Sequence, residues 1–191
     1  MSAQFTALLD ANVLYDALLR DLLLEMSVAD LFQARWSMPI LNEMRAALES
    51  ERPDIPAAAL DRLIDAMNNK TRDCLVDLPG RLQETVIGLP DEGDRHVVAA
   101  AIQARAHAIV TWNLRDFPTE VLAEFRLEAI DPDSFLVAQW DLDAGRFMEC
   151  VVRVRERLVR PATTAEDYID ALIRHRLVGT AARLRPMANF L

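Results

Sequence analysis

Four acidic residues stand at points of the sequence where carboxylates can act together. Asp10 ends a short apolar run near the N-terminus, and Asp116 follows a second apolar run that ends in Thr111. Asp94 lies where a loop gives way to an Ala-rich helical stretch, and Glu43 borders the apolar stripe of an earlier helical stretch. Because ligands gather at the carboxyl ends of strands in open α/β sheets, we expect these acids to meet at one edge of a sheet.

Carboxylates brought together in this way favour a metal site. Like charges raise one another's pKa unless a cation compensates them. Oxygen ligands without His or Cys suit Mg²⁺ or Mn²⁺ rather than zinc. Such a site activates water and steadies the leaving oxygen of a phosphodiester. Thr111 and Asn113 could hold a water or a phosphate oxygen, and Arg115 could supply charge to the transition state.

Ordinary structural roles remain open for the same residues. Asp91 and Asp94 could cap the helix that follows them, because carboxylates are favoured at helix N-termini. Asn12 could cap the helix after the first apolar run. Glu43 could pair with a nearby arginine such as Arg45, since a carboxylate beside a buried face is unfavourable unless it has a partner.

Composition narrows the class of protein. The chain has 191 residues, of which 52% are hydrophobic and 27% charged, which fits one globular domain or one domain with an appendage. No apolar run approaches the roughly 18 residues of a membrane span, and the first residues lack a signal-peptide pattern. We therefore expect a cytoplasmic protein with no membrane contact. Cys74 and Cys150 are expected to be free buried thiols, and the three histidines have no metal-ligand spacing.

The net charge of −9 argues against a general nucleic-acid binder. Its distribution is uneven, because residues 1–140 carry 12 Lys or Arg against 23 acids, whereas residues 141–191 carry nine Arg and seven acids. Part of the acidity is expected to be a clustered site that a divalent cation would neutralise.

Alternating strand and helix patterns predict an α/β fold, with a parallel sheet flanked by helices. Strands are expected at residues 5–9, 74–76, 108–111 and 127–130, and the helical stretches between them include 22–34, 38–49, 57–69 and 95–105. From about Asp141 the pattern is helical only, with stretches at 144–160, 165–177 and 180–184. We therefore expect two parts, a domain over residues 1–140 and a small helical appendage over residues 141–191.

Four arginines of the appendage allow two interpretations; they are Arg153, Arg155, Arg157 and Arg160. They could form a phosphate-contacting face, although helical spacing does not point them all one way. They could instead surround an apolar stripe that docks on the domain or on a second subunit. Docking is favoured, because an isolated helix of this length needs packing.

Three motifs in order resemble those of a known family. Residues 10–15 (DANVLY) resemble the opening motif of PIN-domain nucleases. Residues 89–101 (LPDEGDRHVVAAA) and 109–118 (IVTWNLRDFP) are similar to later motifs of one PIN subgroup, which includes toxins of VapBC-type toxin–antitoxin pairs. The similarity spans residues 5–140, and the remainder is similar to a C-terminal helical extension found in part of that subgroup.

The resemblance implies a divalent-cation site, endoribonuclease activity on tRNA or rRNA, a small antitoxin partner and, as a family trait, a possible homodimer. It implies that Mg²⁺ or Mn²⁺ is held by Asp10, Asp94 and Asp116, with Glu43 as the further catalytic acid. It also implies residues that contact substrate or support those acids, namely Asn12, Asp91, Thr111, Asn113 and Arg115. Asp94 is preferred to Asp91 as the ligand because it immediately precedes the Ala-rich helix.

Two other functions agree with part of this sequence pattern. A PIN-like module could bind RNA or a protein without cutting, but such a module has no chemical need for all four acids. A haloacid-dehalogenase-like phosphatase also places an Asp after its first strand. That chemistry usually needs a second Asp two residues on, where this chain has Asn12, and a catalytic lysine, for which Lys70 is poorly placed.

Overall fold

Five parallel strands form the central sheet in the part of the chain that the computed structural model describes, residues 5–78, 80–159 and 163–191. Their order across the sheet is β3-β2-β1-β4-β5. The strands are β1 (Thr6–Leu9), β2 (Gln33–Ser37), β3 (Leu75–Val76), β4 (Ala108–Val110) and β5 (Glu128–Ile130). The predicted fold class, a parallel sheet flanked by helices, is confirmed.

Helices cover the sheet and continue beyond it. The helices before β4 are α1 (Ala11–Tyr15), α2 (Ala17–Val28), α3 (Met38–Glu51), α4 (Ala57–Lys70), α5 (Gly80–Gln83) and α6 (Arg95–Gln103). Those after it are α7 (Thr119–Ala123), α8 (Pro132–Leu142), α9 (Ala144–Arg157), α10 (Ala165–Arg174) and α11 (Val178–Leu184). Short 3₁₀ turns precede α6 at Glu92–Asp94, follow β4 at Leu114–Asp116 and end the chain at Arg185–Phe190.

The strand order creates a switch point at the centre of the sheet. β1 pairs with β2 on one side and with β4 on the other. The chain therefore leaves β1 in one direction and returns on the opposite side. In such sheets the carboxyl ends of the two diverging strands leave a crevice between them. Asp10 and Thr111, the residues that follow β1 and β4, both lie at that crevice.

The helix predicted over residues 22–34 is wrong in its second half. α2 ends at Val28, and Asp30 turns the chain with a φ of 58°, a left-handed conformation that Asp tolerates better than most residues. β2 begins soon afterwards. Ala34 and Trp36 are buried, whereas Gln33 and Arg35 are half-buried, which is the two-residue period of a strand. The apolar residues before β2 also fit a helical spacing, and this hid the strand.

Burial on both faces explains why the central strands are almost wholly apolar. Every residue of β1 and β4 is buried, as expected for parallel strands covered by helices on both sides. Cys74 and Cys150 are buried and free, which confirms that prediction. None of the helices in the described residues is long and apolar enough to cross a membrane.

The C-terminal helices pack on the domain. Phe147, Val151 and Val154 are buried on α9, which packs against α2, and this agrees with the docking interpretation. Arg155 donates a hydrogen bond to the carbonyl oxygen of Thr163 at 3.0 Å, and Arg160 lies outside the described residues. The boundary expected between residues 140 and 141 falls in the last turn of α8, and the division into two parts stays a prediction.

An ionic cluster fastens α9 to α2 and α4. The carboxylate of Glu25, buried on α2, accepts hydrogen bonds from Arg157 at 2.8 Å and from Lys70 at 3.0 Å. Arg153 lies 3.6 Å from its other oxygen. Burial acts to raise the pKa of Glu25, but the hydrogen bonds from Arg157 and Lys70 prevail and hold the pKa below its usual value.

We expect Glu25→Gln to lower the free energy of unfolding by about 1–3 kcal/mol at pH 7, because it leaves three cations around a neutral side chain. Since the folded-state pKa lies below the unfolded value, this stabilisation exists at neutral pH and is lost as the pH falls through the folded pKa. Urea denaturation followed by circular dichroism at pH 7 and at decreasing pH measures both effects.

The matched control is Glu156→Gln. Glu156 is exposed on α9 and forms no ion pair with any residue that the structure describes. Equal losses in the two variants, or a loss for Glu25→Gln that does not change with pH, would contradict the role of the cluster.

Candidate functional site

Asp10 is fixed at the end of β1 by three hydrogen bonds. Its Oδ1 accepts from the backbone N–H of Ala11 at 2.7 Å, which caps α1. Its Oδ2 accepts from Asn12 Nδ2 and from the Thr111 hydroxyl, each at 2.7 Å. Burial raises the pKa of Asp10 above its ordinary value, although the hydrogen bonds from Thr111 and Ala11 oppose the rise. The three hydrogen bonds therefore hold the Asp10 carboxylate in one orientation at the crevice.

Thr111 and Asn12 join the loops that follow the two central strands. The Thr111 hydroxyl is fully buried; besides donating to Asp10, it accepts from Asn12 Nδ2 and from the backbone N–H of Asn113, each at 3.0 Å. Asn12 Oδ1 accepts from the backbone N–H of Trp112 at 3.1 Å. This set, which we call the Asp10 network (Asp10, Asn12 and Thr111), leaves no member free to rotate without breaking a bond to another.

The surroundings of the Asp94 carboxylate differ from those of the Asp10 carboxylate. It lies half-buried in the turn before α6, and its carboxylate accepts no hydrogen bond from any residue in the described ranges. Burial and the negative charges of Asp10, Asp116, Asp91 and Glu43 raise the pKa of Asp94 to about 6. The predicted acids are therefore close enough to repel one another, and Asp94 takes the strongest effect.

Asp91 and Asp116 flank Asp94 in different ways. Asp91 is exposed and accepts a hydrogen bond from the backbone N–H of Gly93 at 2.7 Å, so it shapes the turn that carries Asp94. Asp116 is half-buried at the end of the 3₁₀ turn after β4. Neither has an ion-pair partner among the residues described.

Glu43 has a partner that the sequence did not suggest. His96 Nε2 lies 2.8 Å from Glu43 Oε1. The His96 ring is 8% exposed on α6, and its Nδ1 has no hydrogen-bond partner in the described part of the chain. A buried histidine needs a hydrogen-bond partner. His96 follows Asp94 in an apolar helical stretch, so its burial and its need for a partner could have been predicted from the sequence. Metal-ligand spacing does not reveal a pair of this kind.

Several of these side chains line one cleft of about 380 Å³, but Thr111, Asp91 and Asp116 do not. Of the predicted residues, the cleft is lined by Asp10, Asn12, Glu43, Asp94 and Asn113. Tyr15 and Glu51, which sequence reasoning missed, form another part of the wall, and the Tyr15 hydroxyl donates to Glu51 Oε2 at 2.9 Å. Arg115 does not line the cleft; it is exposed on the loop beside Asp116.

The donor set fits a hard cation. All the acids that raise the pKa of Asp94 supply carboxylate oxygens, and within the described ranges none of them forms an ion pair with Lys or Arg. No three His, Cys, Asp or Glu side chains of the described residues already lie close enough to enclose a metal ion. Mg²⁺ keeps several waters and takes few protein ligands, so its binding does not require three of these side chains to be in contact already.

Comparison with known proteins agrees with this geometry. Residues 6–115 match the PIN domain family, and residues 132–186 match the family described as VapC50 C-terminal domain. A relative from Mycobacterium tuberculosis, named "Putative ribonuclease VapC50", is 38% identical over 79 residues, which are 41% of this chain and 47% of the relative. The matched segment therefore spans about half of that relative.

The first family match begins at β1 and includes the whole Asp10 network and Asp94. It leaves out only Asp116 among the predicted acids. Since this match covers more than half of the residues, the chain belongs to the PIN-domain family and carries a C-terminal part of the VapC50 type.

Proposed function

We propose that this protein is a divalent-metal-dependent endoribonuclease that hydrolyses RNA phosphodiester bonds. One observation carries the proposal: the acids at the switch point repel one another, and no lysine or arginine of the described residues pairs with them. A cation would remove that repulsion, which together with burial raises the pKa of Asp94 to about 6. Membership of the PIN-domain family and the printed name of the relative support the same reaction.

Asp10, Asp94 and Asp116 would hold Mg²⁺ or Mn²⁺. When bound, the cation would supply Lewis-acid activation of water and would stabilise the leaving oxygen. Asp10 offers a carboxylate whose orientation is set by Thr111 and Asn12. Asp94 offers one that makes no competing hydrogen bond to the described residues, and Asp116 lies beside it.

The remaining residues would prepare the substrate and the attacking water. Glu43, oriented by His96 at 2.8 Å, would accept a proton from water at the cleft, the task of a general base. Asn113 lines the cleft and would contact a phosphate oxygen. Arg115, on the adjoining loop, would contact the RNA backbone. Asp91 would act indirectly, by shaping the turn that carries Asp94.

The proposal extends to biological context. A VapC-type nuclease would act as the toxin of a type II toxin–antitoxin pair in the cytoplasm, with tRNA or rRNA as its substrate and a small antitoxin protein as its partner. A homodimer belongs to the same proposal. The family matches to both parts of the chain support this context. With a net charge of −9, RNA affinity would depend on the bound cation and on local arginines rather than on the overall field.

Asp94→Asn should reduce RNA cleavage by about a hundredfold or more, because it removes a charge on which cation binding depends. The assay incubates purified protein, freed of any antitoxin, with mixed tRNA and rRNA in Mg²⁺, in Mn²⁺ and in chelator. The unmodified protein should cleave only with a cation.

Glu92→Gln is the matched control, because Glu92 lies in the same turn but is exposed and pairs with Arg95; this variant should cleave normally. Undiminished cleavage by Asp94→Asn would contradict the site. Binding of RNA by folded protein without cleavage under any metal condition would instead favour the non-catalytic PIN-like module.

In chelator, Asp94→Asn should raise the melting temperature, because it removes repulsion at the cleft. The folded-state pKa of Asp94, about 6, lies above the unfolded value. The folded protein therefore takes up this proton first, and its stability should rise as the pH falls from 7 to 5. The Asn variant should lack this contribution.

Differential scanning fluorimetry measures both proteins with and without Mg²⁺. The cation should raise the melting temperature of the unmodified protein and of Glu92→Gln but not that of Asp94→Asn. An equal rise in all three proteins would show that the cation binds elsewhere.

A further inference from the structure

The turn between α10 and α11 contacts two segments that flank the cleft. His175 Nδ1 lies 2.5 Å from Asp16 Oδ2, and the guanidinium of Arg176 stacks 4.3 Å from the centroid of the Trp112 ring. Asp16 lies between α1 and α2, and Trp112 follows Thr111, so one contact falls at the far end of the segment that begins at Asp10 and the other on the loop after β4. We call residues 175 and 176 the clamp.

The first contact fixes the far end of α1. Asp16 Oδ1 accepts from the backbone N–H groups of Leu18 and Leu19, at 3.0 and 3.1 Å, which caps α2. Its Oδ2 is then available for His175. Tyr15, the preceding residue, lines the cleft. The segment between Asp10 and Asp16 is therefore held at both ends, at Asp10 by the network and at Asp16 by His175.

The second contact bears directly on the Asp10 network. The Trp112 backbone N–H donates to Asn12 Oδ1, and Asn12 Nδ2 donates in turn to Asp10 and Thr111. The Trp112 ring is half-buried, and Arg176 covers it. A cation over the face of a Trp ring is attracted electrostatically by the ring. Movement of the ring would pull on the amide that holds Asn12.

The helix that follows the clamp, α11, is held to α8 by hydrogen bonds. Asp133, at the start of α8, accepts from the backbone N–H of Gly179 at 2.6 Å, from that of Thr180 at 2.8 Å and from the Thr180 hydroxyl at 2.7 Å. A Cβ at Gly179 would meet Asp133 Oδ2 and Val137 Cγ2, each at 3.1 Å, so a larger residue there would require these neighbours to shift by a few tenths of an ångström.

Arg176 also occupies an unusual backbone position. Its φ is 66°, a left-handed conformation that is unfavourable for a residue with a Cβ. This left-handed position after a helix is usually occupied by Gly or Asn. Here the position carries a long cationic side chain that reaches Trp112.

We propose that His175 and Arg176 are positioning residues of the cleft, which hold the loops after β1 and β4 in the arrangement that the Asp10 network requires. The C-terminal helices are then part of the catalytic unit. The catalytic consequence rests on the proposed ribonuclease function, whereas the mechanical one does not. Neither residue lines the cleft that holds the acids, so their effect on catalysis is indirect.

The test compares the unmodified protein with His175→Gln, Arg176→Gln and the double variant. Arg174→Gln is the matched control, because Arg174 is exposed at the end of α10 and contacts neither loop. Hydrogen exchange measured by mass spectrometry reports on residues 10–16 and 111–117 without requiring activity. Cleavage kinetics give kcat and KM separately.

We expect faster exchange in both segments for the double variant and no change for Arg174→Gln. We also expect kcat to fall by about ten- to a hundredfold, the usual effect of losing residues that orient a site, with KM nearly unchanged. Arg176→Lys, which keeps a cation over the ring, should recover much of kcat. In a Trp112→Leu background, Arg176→Gln should have little further effect, because the partner ring is already gone.

Each other outcome overturns part of the proposal. Unchanged exchange in both segments would exclude the clamp whether or not the protein cleaves RNA. Faster exchange with normal kcat would exclude its role in catalysis. A rise in KM alone would make Arg176 an RNA contact instead. If the unmodified protein cleaves no RNA, the ribonuclease proposal fails, and the exchange data still decide whether the turn holds the loops.

Discussion

Repulsion between carboxylates at the carboxyl ends of β1 and β4 is the constraint around which the cleft is arranged. The fold treats two of these acids differently. Asp10 is surrounded by donors from Ala11, Asn12 and Thr111, so its charge is partly satisfied and its position fixed. Asp94 receives no such donor from the described residues, and burial together with the neighbouring negative charges raises its pKa to about 6. The imbalance leaves negative charge in the cleft that an external cation can neutralise.

Another buried acid, Glu25, is surrounded by basic side chains that neutralise its charge. Glu25 lies near the amino ends of the strands, since α2 leads into β2, and it attracts Lys70, Arg153 and Arg157. Arginines are therefore abundant enough to neutralise buried carboxylates where the structure needs it. Their absence from the acids of the cleft, within the described residues, is local. A structural ion cluster and a site that keeps its charge are thus separated at opposite ends of one sheet.

Sequence patterns predicted the parts of the site that are local in the chain. Asp10 ends an apolar run and Thr111 ends another, and both runs are central strands. The parallel α/β fold was predicted and is confirmed, whereas the roles of the individual site residues remain predictions. β2 was missed because the apolar residues ahead of it fit a helical period as well as a loop and strand.

Contacts between distant segments account for the other omissions. His96 is 53 residues from Glu43, and His175 is 159 residues from Asp16. Neither separation leaves a periodic signal, because a side-chain pair across the fold depends on packing rather than on spacing. Tyr15 and Glu51 were missed as cleft residues for the same reason. The C-terminal helices were correctly expected to dock, but that expectation did not reveal their contacts with Asp16 and Trp112 beside the cleft.

The most direct test of the central claim is anomalous diffraction from crystals of the protein soaked in Mn²⁺. The account predicts a peak at the cleft, with carboxylate oxygens of Asp10 and Asp94 at about 2.1–2.3 Å, the range of hard-cation ligands, and with Asp116 bound directly or through water. No peak at the cleft at saturating Mn²⁺, or a peak bound only to acids elsewhere, would contradict it.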